Sequence, residues 1–276
     1  MVDHSPHPSQ VLFDAQDEQP RSIGFPGGEV ALFSRRSPGK ETGNQDAAGI
    51  FPLTPTTGIL MVADGCGGMT GGQIAARFAV EAMQEVVRQS AGSELPPRAI
   101  ILDGFEKANE SIRELGTGAA TTTAIVEVDA TGPTIRPYHA GDSSILLVGS
   151  RGKVKLLTRS HSPVGYAVEA GVISAEEAIY HEQLHLVSNV LGSEDTHIEV
   201  GAQRLMAARD TLLIASDGVF DNLHLDEVVA LIRKGSLPQA ARSLADAALQ
   251  RMENPSSSQP SKPDDLTFIL YRRAPQ

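Results

Sequence analysis

From Thr122 to Leu157 the chain reads as one strand after another, with no room for a helix between them. The stretches Thr122 to Val128, Thr134 to Ala140, Ser144 to Val148 and Lys153 to Leu157 are parted only by short turns, such as Asp129-Ala130-Thr131-Gly132 and Gly149-Ser150-Arg151-Gly152. Connections that short close antiparallel hairpins, whereas a parallel pair needs a crossover of about a dozen residues. A Rossmann-type chain is thereby excluded, and an antiparallel sheet is expected at the centre of the fold.

A second constraint lies in Gly58 to Gly72. Ile59 to Ala63 is an unbroken apolar run short enough for a buried strand, and it stops at Asp64, followed by Gly65, Gly67, Gly68, Gly71 and Gly72. Glycine lets the backbone turn sharply and bring its carbonyls close to whatever Asp64 holds. A helix is expected from Gln73, with Ala75, Phe78, Ala79, Ala82 and Val86 as its apolar stripe. A phosphate-cradling loop would use similar glycines, but Thr70 stands where G-x-G-x-x-G needs its third. A thiol phosphatase would need an arginine six residues after Cys66, and Gly72 is there. The remaining readings are a divalent-metal site and a plain Asp-Gly turn.

Around these segments, residues 1–28 are rich in Pro, Asp, Gln and Ser without a sustained period, and read as a mobile N-terminal tail. Glu29 to Ser34 alternates as a first strand and leads through a polar loop to Asn44-Gln45-Asp46. A helix is expected from about Arg98 to Leu115. Residues 159–187 are weakly patterned and read as a flap, with Ser174 capping a short helix. Thr211 to Ala215 is a buried-type strand, followed by helices at about Leu225 to Lys234 and Pro238 to Met252. A Pro/Ser-rich loop, Asn254 to Pro263, leads to a last strand over Leu266 to Tyr271. A formal charge of -11 with no long basic run disfavours a nucleic-acid or acidic-membrane surface. Cys66 is the only cysteine, no apolar run is long enough to span a bilayer, and the polar N-terminus lacks a signal-peptide core. A cytoplasmic protein is expected.

The acids recur in one context. Asp46 follows a polar loop, Asp64-Gly65 follows a strand, Asp142 lies between strands, Asp217-Gly218 follows a strand, and Asp264-Asp265 just precedes one. One such aspartate is a turn residue. Collected along one edge of a sheet sandwich they would be costly unless cations occupied the site. All-oxygen ligation selects Mg or Mn over zinc, for which no Cys/His pair has the right spacing.

Asn44-Gln45-Asp46, Val62-Ala63-Asp64-Gly65, Thr121-Thr122-Thr123, His139-Ala140-Gly141-Asp142-Ser143, Leu157-Thr158 with His161-Ser162, Leu191-Gly192, Ser216-Asp217-Gly218 and Asp264-Asp265-Leu266-Thr267 together resemble, in this order, the PPM family of metal-dependent protein phosphatases, the type 2C serine/threonine class in its bacterial form. The resemblance implies an α+β fold over residues 29–273: a four-layer sandwich of two antiparallel sheets face to face, flanked by helices. It implies a centre of two Mn2+ or Mg2+ ions, with Asp64 bridging them, Gly65 offering its carbonyl, Asp217 and Asp264 completing one ion and Asp46 serving the other. Asp142 with Asp217 would hold a third ion. The implied reaction is hydrolysis of phosphoserine or phosphothreonine by direct attack of a metal-bridging hydroxide, with Asp64 and Asp217 as the catalytic carboxylates. Phosphoproteins made by a serine/threonine kinase would be the substrates, and the chain would act as a monomer.

The sequence also departs from that pattern. Glu41 stands where the family has its phosphate-binding arginine, and the neighbouring Lys40 is the expected substitute. Asp265 replaces an asparagine, Ser160 an aspartate, and Cys66 a histidine found in eukaryotic members. Cations beside Cys66 would favour its thiolate. His139 reads as a packed strand histidine rather than a proton donor. A rival reading of another class is a pseudophosphatase that binds a kinase or its target without turnover.

Overall fold

The computed structural model describes residues 8–66, 71–256 and 258–274. Gly67, Gly68, Met69 and Thr70 of the glycine-rich turn, Ser257 of the Pro/Ser-rich loop, and residues 1–7 of the expected tail lie outside the described residues.

Two antiparallel sheets form the centre. One contains β1 (Gln10–Phe13), β4 (Asp46–Pro52), β5 (Thr57–Cys66), β6 (Ala120–Asp129), β7 (Thr134–Ala140) and β10 (Glu199–Val200) in that order, with β11 (Arg204–Leu205) also paired to β7. The other runs β2 (Arg21–Phe25), β3 (Gly28–Arg35), β13 (Leu266–Arg273), β12 (Thr211–Ala215), β8 (Ser144–Val148) and β9 (Val154–Leu157). Leu60, Val62, Val126, Ile145, Ile214 and Ile269 fill the space between the sheets. Outside the first sheet lie α1 (Gly71–Gln89) and α2 (Pro97–Arg113), buried through Ala79, Met83, Ile101 and Phe105. Outside the second lie α6 (Leu225–Ile232) and α7 (Leu237–Glu253), buried through Val228, Ala241 and Leu244. Burial on both faces of each sheet gives the expected four layers. It also explains why the central strands are apolar runs rather than alternating ones.

The expected tail is a correction. From Gln10 onward it is paired strand: β1 adds to β4, and β2 adds to β3. Leu12 and Phe25 are buried, the latter edge-on to Tyr271 at 5.7 Å. The polar composition around them conceals two apolar triplets, each long enough for an edge strand. The α1 stripe also shifts. Phe78 and Val86 are only partly buried, while Ala76, Val80, Met83 and Val87 face the core beside Ala75 and Ala79. The flap comprises α3 (Pro163–Glu169), capped by Ser162, and α4 (Ala175–Ala178), capped by Ser174.

Candidate metal centre

Topology brings the acids together. Asp46 opens β4, and the antiparallel register sets it directly across from Asp64 near the end of β5. Asp142 lies where the chain leaves β7 of one sheet for β8 of the other. Asp217 is the first residue of α5 (Asp217–Phe220), just past β12, and Asp264 lies two residues before β13, which pairs with β12. All five carboxylates therefore meet at one end of the sandwich, where both sheets contribute. β5 does not stop at Ala63 as expected. It continues through Cys66 because Gly65 and Cys66 pair with Thr121 and Ala120 of β6.

Close backbone approach explains the glycines that flank Asp64. A Cβ on Gly65 would lie 2.2 Å from the Gly72 carbonyl oxygen, and one on Gly72 would lie 2.5 Å from that of Gly65. Only glycine permits this contact, which sets the positive end of α1 against the strand end bearing Asp64.

A buried polar seam fixes the carboxylates. Ser216 Oγ donates to Asp46 Oδ2 at 2.8 Å, and the Thr267 amide donates to Ser216 Oγ at 3.1 Å. Asn44 donates to Ser34 Oγ and to the Ala15 carbonyl, each at 3.0 Å, while its own amide donates to Asp14 Oδ1 at 2.8 Å. The segment expected to be a tail thus holds the motif that carries Asp46. On the other side, His161 Nδ1 accepts from the Gly141 amide at 3.1 Å and from Asn189 at 2.8 Å, which anchors the loop bearing Asp142.

The electrostatics are those of a cation site. Burial, then the Asp217 and Asp46 charges, pushes the Asp64 carboxyl well above the usual range. Burial followed by Asp265 does the same to Asp46. Burial and Asp217 push Asp142 up to about 7 and Asp264 up to about 6. Among the described residues, Asp142 Oδ1 is buried without a hydrogen-bond partner. A carboxylate set with an orphaned buried oxygen, beside the Gly65 carbonyl, fits a hard divalent cation. In the ion-free chain, burial and the Asp64 charge push the Cys66 thiol up.

Three residues in this region, Lys262, Asp221 and Asn222, were not singled out from the sequence. Lys262 Nζ lies 3.0 Å from Asp217 Oδ2, 2.6 Å from Asp221 Oδ2 and 3.2 Å from Asp264 Oδ2. Asn222, fully buried, binds both the amide and the carbonyl of Lys262. Lys40 Nζ pairs with Asp265 Oδ2 at 2.5 Å, and the same carboxylate accepts from the Ser37 and Gln45 amides. His139 is 1 % exposed, bonds through Nε2 to the Arg159 carbonyl and stacks on His161 at 4.4 Å, as a packed strand histidine should. His139, His161 and Glu199 bring ligand-type atoms within 4.8 Å of one another, but hydrogen bonds already occupy them: His161 Nε2 donates to Glu199 Oε2 at 3.1 Å.

A cleft of about 1450 Å³ opens from Asp142 and Asp217 and runs between the flap and α6, past Val168, Tyr180, Leu184 and Val229.

Residues 37–254 match the family model described as protein phosphatase 2C. The chain is 31% identical over 220 residues to a protein phosphatase 2C-type protein of Streptococcus pyogenes, spanning 76% of this chain and 87% of that one. Its fold superposes on the S. agalactiae serine/threonine phosphatase with a TM-score of 0.75 at 25% identity, covering 89% of this chain and 99% of the other. At 22% identity and a TM-score of 0.71, covering 89% and 98%, it also matches the fold of the catalytic domain of the phosphatase PstP, solved with two manganese ions.

Proposed function

The chain belongs to the protein phosphatase 2C family, and from that premise we propose how its acidic centre divides the work of hydrolysing phosphoserine and phosphothreonine in proteins. The enzyme is a metal-dependent phosphoprotein phosphatase using Mn2+ or Mg2+. When bound, the ions supply an acidified water and neutralise charge on the phosphoryl oxygens. The carrying observation is Asp64, set directly across the β4–β5 register from Asp46 and close enough to Asp217 for that charge also to raise its carboxyl. That position suits a bridging carboxylate, with Asp46 and the Gly65 carbonyl toward one ion, Asp217 and Asp264 toward the other, and Asp142 with Asp217 toward a third.

The surrounding residues orient these ligands. Ser216 and Thr267 both hydrogen-bond the Asp46 carboxylate and so fix its orientation. His161 fixes the Gly141 amide and so the loop of Asp142. Phosphorylated peptide would lie in the cleft along the flap, with residues 159–187 contacting its flanking side chains. Lys40, whose ammonium pairs with Asp265, the residue that follows Asp264, is the candidate cation for the phosphate. The pseudophosphatase reading is not favoured, because binding alone gives no reason to gather Asp64, Asp217 and Asp264 at repulsive range. No described helix is long and apolar enough to cross a membrane. In this reading a cytoplasmic monomer, with residues 10–273 as one catalytic domain that includes the edge strands β1 and β2, acts on the products of a serine/threonine kinase. Turnover of a phosphothreonine peptide by the metal-stripped protein, with and without added Mn2+, tests it. Activity that does not depend on the ion would refute it.

A further inference from the structure

Lys262, its side chain partly exposed, reaches its ammonium into the acidic centre. Its ammonium touches Asp217, Asp221 and Asp264, which all belong to one side of the cluster. Asp46 and Asp64 have no lysine or arginine ion pair among the described residues.

The backbone keeps this side chain in place. Asn222 donates from Nδ2 to the Lys262 carbonyl at 2.9 Å and accepts the Lys262 amide on Oδ1 at 2.8 Å. The same Nδ2 group donates to the Gly218 carbonyl in α5, the helix that begins with Asp217 and is followed by Asp221. Ser261 Oγ donates to the Arg251 carbonyl at 2.8 Å, and Pro263 fixes φ on the other side. The loop cannot carry the ammonium away from the carboxylates without breaking these bonds, so the charge stays within a side chain's length of them.

We infer that Lys262 is a tethered counter-cation, competing with the divalent ion for the Asp217 and Asp264 side of the centre while the Asp46, Asp64 and Gly65 side stays uncontested. The inference rests on the two-ion phosphatase reading above. A divalent ion entering the contested side must displace hydrogen bonds from an ammonium to carboxylates, and it meets a like charge at close range. Loading is therefore unequal: one ion binds readily and the second binds only at higher metal concentration. The lysine thereby sets the metal concentration at which the centre is complete.

The test uses the full chain, stripped with a chelator and titrated with Mn2+ alone, with unbound Mn2+ followed by electron paramagnetic resonance. The wild type is expected to show two unequal classes of site. In Lys262→Met the Mn2+ concentration that half-fills the weaker class should fall about tenfold, the equivalent of about 1.4 kcal/mol. Lys262→Gln should behave in the same way and serves if the Met variant does not fold. Lys262→Arg, which keeps the charge, should stay near wild type. Wild-type or weaker affinity in both neutral variants would overturn the inference and leave the phosphatase reading intact. Absence of Mn2+ binding in every protein would overturn both.

Discussion

Lys40 and Asp265 make sense as a pair. Where the resemblance leads one to expect an arginine and an asparagine, this chain has Glu41 with Lys40 beside it, and Asp265, and the Lys40 ammonium neutralises the extra buried carboxylate. Removing the lysine alone should leave that charge uncompensated, so Lys40→Ala is expected to lose about 2 kcal/mol in urea unfolding. Adding Asp265→Asn should recover most of the loss, and equal losses in the single and double variants would contradict the pairing. If Lys40 also binds phosphate, KM for a phosphothreonine peptide should stay raised in the double variant after stability is recovered. Asp64→Asn should lower Mn-dependent turnover by about 10³-fold or more, while the melting temperature of the metal-free protein does not fall, because the lost charge was repelled by its neighbours. The aspartates were legible from sequence because each sits at a strand end, mostly beside a glycine or serine. Lys262, Asn222 and His161 gain their roles only from contacts across the fold, which no local pattern records.

At the level of elements, the register of β4 against β5 decides whether the centre exists. A slip of one residue would turn Asp46 to the opposite face of the sheet and separate it from Asp64. β4 itself was not legible: Asp46 to Pro52 is buried at every position, and its Ala-Ala-Gly start shows neither alternation nor strong strand propensity. The strands β7, β8 and β12 fall at the expected residues, but β7 and β8 do not close the expected hairpin, because the chain crosses from one sheet to the other between them. The flap was visible only as weak patterning, because α3 and α4 are short and α4 buries no residue. Its contribution should be selective. Tyr180→Ala and Leu184→Ala are expected to raise KM for phosphopeptides several-fold, consistent with about 1 kcal/mol of lost apolar contact in the cleft, and to leave p-nitrophenyl phosphate turnover unchanged. Equal effects on both substrates would place these side chains outside substrate recognition.

For the molecule as a whole, the gathered carboxylates link stability to pH. Asp142 at about 7 and Asp264 at about 6 hold protons in the folded chain that the unfolded chain, with ordinary carboxylates, has already released. The folded state binds the extra protons, so lowering the pH through these values stabilises the metal-free protein and raising it destabilises. Between about pH 8 and about pH 6.5 the gain is expected to be on the order of 1 kcal/mol, read as a rising melting temperature. Saturating Mn2+ should remove this trend, since bound carboxylates stay charged, and a trend of equal slope with the ion present would count against the centre. Below about pH 6.5 burial holds the His139 and His161 rings neutral in the folded state, so their protonation on unfolding works in the opposite direction. The strands β1 and β2 have a further consequence at this scale. Each is the outermost strand at one end of its sheet, and each covers a longer strand whose unpaired amides and carbonyls would otherwise face solvent. A chain shortened to begin at residue 29 would expose the edge of β4, a strand buried along its whole length. Such a chain should associate edge to edge with its own copies, detectable as light scattering at concentrations where the full chain stays dispersed.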